Sequence, residues 1–263
     1  MLKVRLIPVL LLKQNMLVRS ELFQSHQVIG NPFHEVRRFN EWEVDELIYL
    51  DITRGEYSSN IRRDVKIRGA TDNLEILDEV SKTCFMPLTW GGRIKCVEDM
   101  RVRLSRGADK IVINSQAVRE PQLIKNGAEA FGRQAIVVSI DVQRLPTTNE
   151  QKVVIDGGKT MTDMNPVDWA KRAEELGAGE LLIQSTDRDG TAAGYDISLI
   201  NAIATNTTIP VIACSGVGKY AHYTEGVTAG AAAVAAANIW HFRDLADRGG
   251  KRALTEAGID VRT

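Results

Sequence analysis

The sequence predicts an α/β fold, a (β/α)8 TIM barrel made of two homologous half-barrels. The first observation is an internal repeat, because residues 87–92 (PLTWGG) and 210–216 (PVIACSG) are both apolar runs that end in small residues. Gly-Ala pairs follow at 107–108 and 230–231, and they keep the same offset of 123 residues between the halves. The second observation is length, since 263 residues suit one eightfold barrel of roughly 250. We therefore predict a single domain over residues 1–263.

Short apolar runs alternate with helical patterns along the chain. In order, the predicted strands are 4–11, 46–52, 85–90, 110–114, 134–141, 180–185, 209–214 and 232–237. The predicted helices are 32–44, 71–82, 96–106, 120–130, 165–177, 196–204, 219–229 and 244–258. Alternation at this spacing implies parallel strand pairing with right-handed crossovers.

Proline and glycine define where these elements begin and end. Prolines suited to a first helical turn are Pro32, Pro121 and Pro166. Glycines suited to the carboxyl ends of helices are Gly107, Gly177 and Gly230. Pro8 lies inside the first strand, where it removes a ladder donor, so we expect a local irregularity there.

Two connections are long, and both follow strands. Residues 12–31 after the first strand are predicted as a loop. Residues 142–164 after the fifth strand are predicted as a second loop, with a small hairpin around 153–158. Loops that follow the strands of such a barrel form its functional face, so both are expected there.

Composition excludes several classes of function. A net charge of −1 gives no support for a nucleic-acid or anionic-membrane role. The three cysteines, Cys84, Cys96 and Cys214, are odd in number and lack metal-ligand spacing, which favours a reducing cytoplasm. No run approaches the roughly 20 apolar residues of a membrane span. We expect neither a metal nor a cofactor.

Small and polar residues after the strands predict two anion sites, because loop backbone N–H groups can bind phosphate. One site combines Gly92 with Asn114 and Ser115. The residues of the other site are Asp189, Gly190, Gly216, Ala237 and Asn238. Two sites related by the repeat would hold a ligand with a phosphate at each end. The alternative is that these glycines only make tight turns.

Several segments resemble one family along nearly the whole chain. They are residues 1–5 (MLKVR), 45–53 (DELIYLDIT), 107–110 (GADK), 184–191 (QSTDRDGT) and 194–196 (GYD). The resemblance is to the cyclase subunit of imidazole glycerol phosphate synthase. It implies a (β/α)8 barrel paired with a class I glutaminase subunit as a heterodimer. It also implies that ammonia passes along the barrel axis to a bisphosphorylated substrate.

The family uses two aspartates, at the ends of strands 1 and 5, as general acid and base. The resemblance assigns the strand 5 role to Asp141, whereas the strand 1 position holds Leu11, which cannot transfer a proton. Other positions depart from the family pattern too: Arg93 and Ser215 stand in place of loop glycines, and Arg19 in place of a lysine. These departures predict a very low cyclase activity.

The other end of the predicted barrel keeps the family pattern. The resemblance implies an ammonia gate, a ring of four charged residues, at Arg5, Glu46, Lys110 and Glu180. Strand parity independently predicts that such residues face the barrel interior. The alternative is a structural plug, because residues at this end often serve stability. Asp109 matches a position that docks the partner.

A gate without a full acid–base pair predicts a chain that receives ammonia without forming imidazole glycerol phosphate. Residues 6–13 and 84–88 are similar to a branch associated with glycosyl amidation in surface-polysaccharide biosynthesis of the O-antigen type. That similarity implies delivery of ammonia to a sugar amidotransferase that acts on a nucleotide sugar. Two alternatives remain, an active cyclase of histidine biosynthesis and a sugar-phosphate isomerase. Leu11 counts against both.

Overall fold

The computed structural model describes residues 3–57, 72–243 and 245–262. The described strands are β1 (Arg5–Lys13), β2 (Met16–Glu21), β3 (Ser25–Gly30), β4 (Leu47–Asp51), β5 (Leu88–Gly91), β6 (Lys110–Ile113), β7 (Ile136–Arg144), β8 (Gln151–Ile155), β9 (Thr160–Met161), β10 (Glu180–Ser185), β11 (Val211–Cys214) and β12 (Ala233–Ala236). The described helices are α1 (Pro32–Glu41), α2 (Asn73–Ser81), α3 (Val97–Ser105), α4 (Ser115–Arg119), α5 (Gln122–Phe131), α6 (Pro166–Glu175), α7 (Ile197–Ala204), α8 (Ala221–Thr228), α9 (Ile239–Phe242) and α10 (Ala246–Glu256).

Eight of these strands close into a parallel barrel, which confirms the predicted (β/α)8 fold. Neighbours around the barrel are, in order, β1, β4, β5, β6, β7, β10, β11 and β12, and β12 pairs with β1. The predicted helix 71–82 corresponds to α2, and the predicted helix 244–258 corresponds to α10. Residues 71 and 244 of these two predictions lie outside the described residues. That one domain spans residues 1–263 stays a prediction.

Helix ends follow the proline and glycine signals in the sequence. Pro32 and Pro166 occupy first turns, each preceded by an asparagine whose side chain caps the helix. Gly107, Gly177 and Gly230 all have φ above +100°, the left-handed backbone that ends a helix. Pro121 differs from its prediction, because it is the residue before α5.

The segment 12–31 was expected to be a loop, and that expectation is wrong. Strand β1 continues to Lys13, and β2 and β3 form an antiparallel hairpin that pairs with β1. A turn at Gln14 and Asn15, both with positive φ, reverses the chain between β1 and β2. Strand β3 (SHQVIG) is largely exposed, so it carries no apolar alternation by which the sequence could reveal it.

The expected irregularity at Pro8 is also absent, whereas the hairpin predicted near 153–158 is confirmed by β8 and β9. Pro8 is the last β1 residue in register with β12, and pairing with β4 begins at Val9. The proline therefore lies where one ladder ends and the other starts, which limits the hydrogen bonding that it disrupts.

The barrel interior is filled by aliphatic side chains, and a second, larger core lies between the strands and the helices. The inner cluster includes Ile7, Val9 and Leu11, which confirms the strand parity predicted for β1. Within the described part of the chain, no helix is both long and apolar enough to cross a membrane.

Candidate functional site

A cavity of about 1590 Å³ opens at the carboxyl ends of the barrel strands. Residues at or after the carboxyl ends of all eight barrel strands line it, including Lys13, Thr53, Arg93 and Asn114. This is the face on which barrels of this kind build their functional sites. No three His, Cys, Asp or Glu side chains among the described residues are placed to hold a metal ion.

Asp141 lies inside the cavity near the carboxyl end of β7, with 4% of its surface exposed. Its Oδ1 accepts hydrogen bonds from Gln184 Nε2 at 3.1 Å and Ser139 Oγ at 3.4 Å. Burial raises the pKa of Asp141 to about 7, against the opposing effect of hydrogen bonds from Asn114, Gln184 and Ser139. A carboxyl group with this pKa can both take and give a proton at neutral pH.

Leu11 occupies the position at which the family resemblance implied a second carboxyl group. It is 8% exposed, lines the same cavity and pairs in register with Leu50 on β4 and Val18 on β2. These neighbours make an aliphatic wall, so position 11 offers no group for proton transfer.

The first predicted anion site lies at the ends of β5 and β6, and its residues are brought together. Gly92 and Arg93 are consecutive left-handed residues with φ of +101° and +56°. Ser115 Oγ donates to Asn114 Oδ1 at 3.2 Å and accepts from Asp156 N at 2.9 Å. The polar groups of Asn114 and Ser115 are therefore already bonded, and Arg93 supplies the cationic group at this end.

Arg93 is exposed, and its guanidinium group stacks on the aromatic ring of Tyr57. Its Cζ lies 4.5 Å from the ring centroid of Tyr57, a cation–π arrangement. Gly92 has a different reason for its identity, because a Cβ there would collide with the carbonyl oxygen of Asp51. The loop thus combines a glycine required by packing with an arginine whose guanidinium reaches the cavity mouth.

The second predicted site joins the ends of β10, β11 and β12, and the β2–β3 hairpin closes over part of it. Ser20 Oγ donates to Asp189 Oδ2 at 2.6 Å, and Phe23 N donates to the same oxygen at 3.1 Å. Asn238 Nδ2 donates to Ser20 O at 2.9 Å. A Cβ on Gly190 would lie 2.5 Å from that oxygen, so Gly190 packs on the hairpin. Sequence reasoning missed Ser20, because the hairpin itself was not predicted.

Ser215 and Gly216 form the other part of this site, with Ala237 next to Asn238 in the cavity wall. Ser215 and Gly216 both have a left-handed backbone conformation, with φ of +77° and +88°. Gly216 O accepts from Gly194 N at 2.7 Å, and a Cβ on Gly216 would collide with Gly194 O. Ser215 Oγ is buried and finds no hydrogen-bond partner within the part of the chain that the structure describes.

At the opposite, amino end of the barrel, four charged side chains form a closed ring, here called the amino-end ring. Arg5 Nη1 contacts Glu46 Oε2 at 2.6 Å and Glu180 Oε1 at 3.0 Å. Lys110 Nζ contacts Glu46 Oε1 at 2.9 Å and Glu180 Oε2 at 3.1 Å. Each charge has two partners of opposite sign, so the ring is neutral and its groups are paired.

Glu46 is the most buried member of the amino-end ring, with 3% of its side chain exposed. Burial alone would raise the pKa of Glu46, but Lys110 and Arg5 hold that pKa below its usual value. Thr89 Oγ1 adds a hydrogen bond of 3.0 Å to Glu46 Oε1. Glu46 is therefore ionised at neutral pH and is held in place by its three partners.

Two exposed residues stand near the amino-end ring. Asp109 Oδ2 accepts from Leu88 N at 2.7 Å, so this carboxylate also fixes the start of β5. Phe85, in the loop before β5, has 87% of its surface exposed. Single exposed apolar side chains are common on protein surfaces, so Phe85 by itself does not establish an interface. Phe85 was missed as a candidate, because its exposure cannot be deduced from the sequence.

One comparison with known proteins bears on this arrangement. The family described as histidine biosynthesis protein matches the chain over residues 5–246. The matched span contains all eight barrel strands, the amino-end ring and the cavity residues named above.

Proposed function

The chain belongs to the histidine biosynthesis protein family, and from this premise we propose that it is the barrel subunit of a glutamine-dependent amidotransferase. In this proposal a glutaminase partner makes ammonia, which enters through the amino-end ring and reaches the carboxyl-end cavity. The ammonia then serves the amidation of a nucleotide sugar in surface-polysaccharide biosynthesis of the O-antigen type. One contrast carries the proposal: the ring is complete, while Leu11 replaces half of the acid–base pair.

The layer between the amino-end ring and the cavity supports passage of a neutral molecule. It is formed by aliphatic side chains such as Ile7, Ile48 and Val137, with small residues such as Ala235 among them. Ammonium would lose its hydration there without gaining a counterion, which is costly. Ammonia, which is small and uncharged, meets no such penalty. The aliphatic layer therefore favours passage of ammonia and opposes passage of ions.

The amino end also offers features that a protein partner can bind. Asp109 gives a charged position beside the ring, and charge complementarity mainly tunes specificity and association rate. Phe85 gives an exposed aromatic side chain of a type that is enriched at protein interfaces. Both lie on the face at which a glutaminase would deliver ammonia to the barrel interior.

The second candidate is an active cyclase subunit of histidine biosynthesis. One observation favours it: Asp141 has a pKa of about 7, so this single group could act in turn as acid and base. Positioned proton transfer contributes roughly 10²- to 10⁴-fold to a rate, so loss of the strand 1 carboxyl group should cost about that much.

The deciding experiment mixes the chain with a class I glutaminase and the cyclase substrate of histidine biosynthesis. We expect a 1:1 complex and stimulated glutamine hydrolysis, with formation of imidazole glycerol phosphate roughly 10²- to 10⁴-fold below that of an active cyclase. Rapid turnover, abolished by Asp141→Asn, would establish the cyclase instead. Leu11→Asp should recover part of the missing activity.

Docking is tested in the same assay with two variants of one residue. Asp109→Lys should weaken both binding and the stimulation of the glutaminase. Asp109→Asn keeps an oxygen that can accept from Leu88 N, so it removes the charge while retaining the local fold. If Asp109→Lys binds as the unaltered chain does, the proposed docking face is wrong.

A further inference from the structure

Asp141 belongs to a small network of buried polar side chains at the floor of the carboxyl-end cavity. Gln184 on β10 lies in register with Asp141 on β7, and Ser139 precedes Asp141 by two residues on the same strand face. All three side chains line the cavity, and none of the three residues is more than 8% exposed. Val137 and Leu182 of the aliphatic layer are the preceding inward residues of the two strands, so the network lies directly above that layer.

The side-chain donors of Gln184 and Ser139 are all used within this network. Gln184 Nε2 donates to Asp141 Oδ1 and to Ser139 Oγ, at 3.1 Å in both cases. An amide nitrogen carries two hydrogens, so these two bonds use both. Ser139 Oγ has a single hydrogen, which it donates to Asp141 Oδ1 at 3.4 Å. Asp141 Oδ1 therefore accepts two hydrogen bonds, and only one orientation of the Gln184 amide allows this arrangement.

This arrangement distinguishes the two oxygens of the Asp141 carboxyl group. A proton on Oδ1 would point at an N–H and an O–H group that already donate to that oxygen. Asn114 is the third side chain that hydrogen-bonds Asp141, which leaves Oδ2 with at most one of these three donors. The neutral form of Asp141 therefore carries its proton on Oδ2.

Two titratable groups act on Asp141 from neighbouring elements. Burial raises the pKa of Asp141 to about 7, and Asp189, in the loop after β10, raises that pKa further in the same direction. Cys214 on β11, in register with Gln184, is an uncharged thiol at neutral pH, because burial raises its pKa to about 12. Neither group favours the ionised form of Asp141. The largest effects that do so come from the three uncharged hydrogen-bond donors.

We propose that Gln184 is a positioning residue for Asp141. Its amide, together with the Ser139 hydroxyl group, holds Oδ1 as an acceptor and leaves Oδ2 as the oxygen that exchanges a proton with a molecule in the cavity. Because Leu11 offers no second carboxyl group, the orientation of Asp141 decides where in the cavity this exchange takes place. The inference rests on the proposed function only in taking this cavity as the place of proton exchange.

The test is the titration of Asp141 in the full chain, followed by carbon-13 NMR of its carboxyl carbon. The Asp141 signal is identified by its disappearance in Asp141→Asn. Gln184→Met keeps an unbranched side chain of similar length but removes both N–H donors, so it should raise the pKa of Asp141 by about 1 to 2 pH units. Ser139→Ala removes the longer of the two bonds to Oδ1 and should raise that pKa by a smaller amount.

The matched control is Gln143→Met. Gln143 follows Asp141 by two residues on β7 and lines the same cavity, but its side chain makes no hydrogen bond within the described residues. A general change in packing or in water content would move the titration of Asp141 in both glutamine variants. The proposal requires a change in Gln184→Met alone. An unchanged titration in Gln184→Met, or an equal change in Gln143→Met, overturns it.

Gln184→Glu gives a second readout, one that does not depend on whether Gln184→Met folds. The glutamate has nearly the same shape as glutamine, and it places a second carboxyl group against Asp141. The two groups should then share a proton and titrate in two well-separated steps. Titration of Asp141 in one step, as in the unaltered chain, would contradict the proposal. These titrations need neither a glutaminase nor a substrate, so they can fail while ammonia delivery succeeds, and the reverse also holds.

Discussion

The two ends of this barrel treat their charges differently. At the amino end, Arg5, Glu46, Lys110 and Glu180 satisfy one another in a neutral ring. At the carboxyl end, lysines, arginines and carboxylates line an open cavity, and two buried polar atoms of its wall, Ser215 Oγ and Asn238 Oδ1, lack partners in the described residues. Because buried polar groups are normally satisfied, these two cavity-lining atoms are groups to which a bound molecule or water can hydrogen-bond. The charged groups of the amino end are therefore paired with one another, whereas polar groups of the carboxyl end are open to a ligand.

The two half-barrels make a finer comparison of the same kind. The loops after β5 and β11 each contain two successive left-handed residues, Gly92-Arg93 and Ser215-Gly216. In each pair one member is a glycine whose missing Cβ is required by a neighbouring carbonyl oxygen. The other member carries a polar side chain. It is the second residue of the pair in the first half, Arg93, and the first residue of the pair in the second half, Ser215. The repeat has preserved the backbone shape while the side chains that reach the cavity have diverged.

Removing one cation from the amino-end ring should have the largest effect. Lys110→Met leaves Glu180 and Glu46 to share Arg5, with Thr89 as the other partner of Glu46. Breaking a buried ion pair by removing one partner costs about 3–5 kcal/mol. We expect a fall of that size in the free energy of unfolding, measured by chemical denaturation. Ammonia delivery, measured as glutamine-dependent amidation with the partners present, should also drop sharply.

A second substitution separates the charge imbalance from a general loss of packing. In the Lys110→Met variant, the carboxylate of Glu46 has lost its contact with Lys110. Adding Glu46→Gln removes that negative charge, so part of the lost stability should return. If the double variant is less stable than Lys110→Met by the full cost of Glu46→Gln alone, the two side chains are not coupled, and the ring is not a unit.

At the carboxyl end, Asp141 should make stability depend on pH. Burial raises its pKa from 3.8 to about 7, so the folded chain binds a proton that the unfolded chain has released in this interval. The stability that comes from keeping Asp141 protonated in the folded chain is fully present below about pH 4, and it is lost as pH rises through about 7. A shift of this size corresponds to roughly 4 kcal/mol at most. Asp141→Asn should therefore match the unaltered chain near pH 4 and exceed it above pH 7.

The control for Asp141 is a carboxyl group whose pKa moves the other way. A hydrogen bond from Arg119 holds the pKa of Asp156 below its ordinary value, and the side chain of Asp156 is 35% exposed. Asp156→Asn should lose stability at neutral pH, by a smaller amount, and the loss should vanish in acid. Identical pH profiles for the unaltered chain and Asp141→Asn would show that this buried carboxyl group does not titrate as described.

The sequence was sufficient for the barrel, because alternation of strands and helices with period-2 strand patterns predicts it. For the amino-end ring, the family resemblance supplied the four residues, and strand parity predicted that Arg5, Lys110 and Glu180 face the interior. The sequence was insufficient for features that depend on contacts between distant segments of the chain. Strand β3 is polar and exposed, so the hairpin and the contacts of Ser20 with Asp189 and Asn238 could not be deduced. Likewise, the hydrogen bond from Asp156 N to Ser115 Oγ joins two distant loops, and the sequence gives no signal for it.

The smallest effect should come from the ion pair between Arg119 and Asp156 at the cavity rim. Arg119 Nη2 lies 2.7 and 2.6 Å from the two carboxylate oxygens, as close as any contact in the amino-end ring. Its side chain is 48% exposed, however, and that of Asp156 is 35% exposed, so water and salt screen the pair. Exposed pairs contribute about 0–1 kcal/mol, and Arg119→Met should cost no more than that by chemical denaturation. The cost should shrink further in 1 M salt, whereas the cost of Lys110→Met should change little. A loss above 2 kcal/mol, or equal salt dependence in both variants, would mean that burial is not what distinguishes the two ends of the barrel.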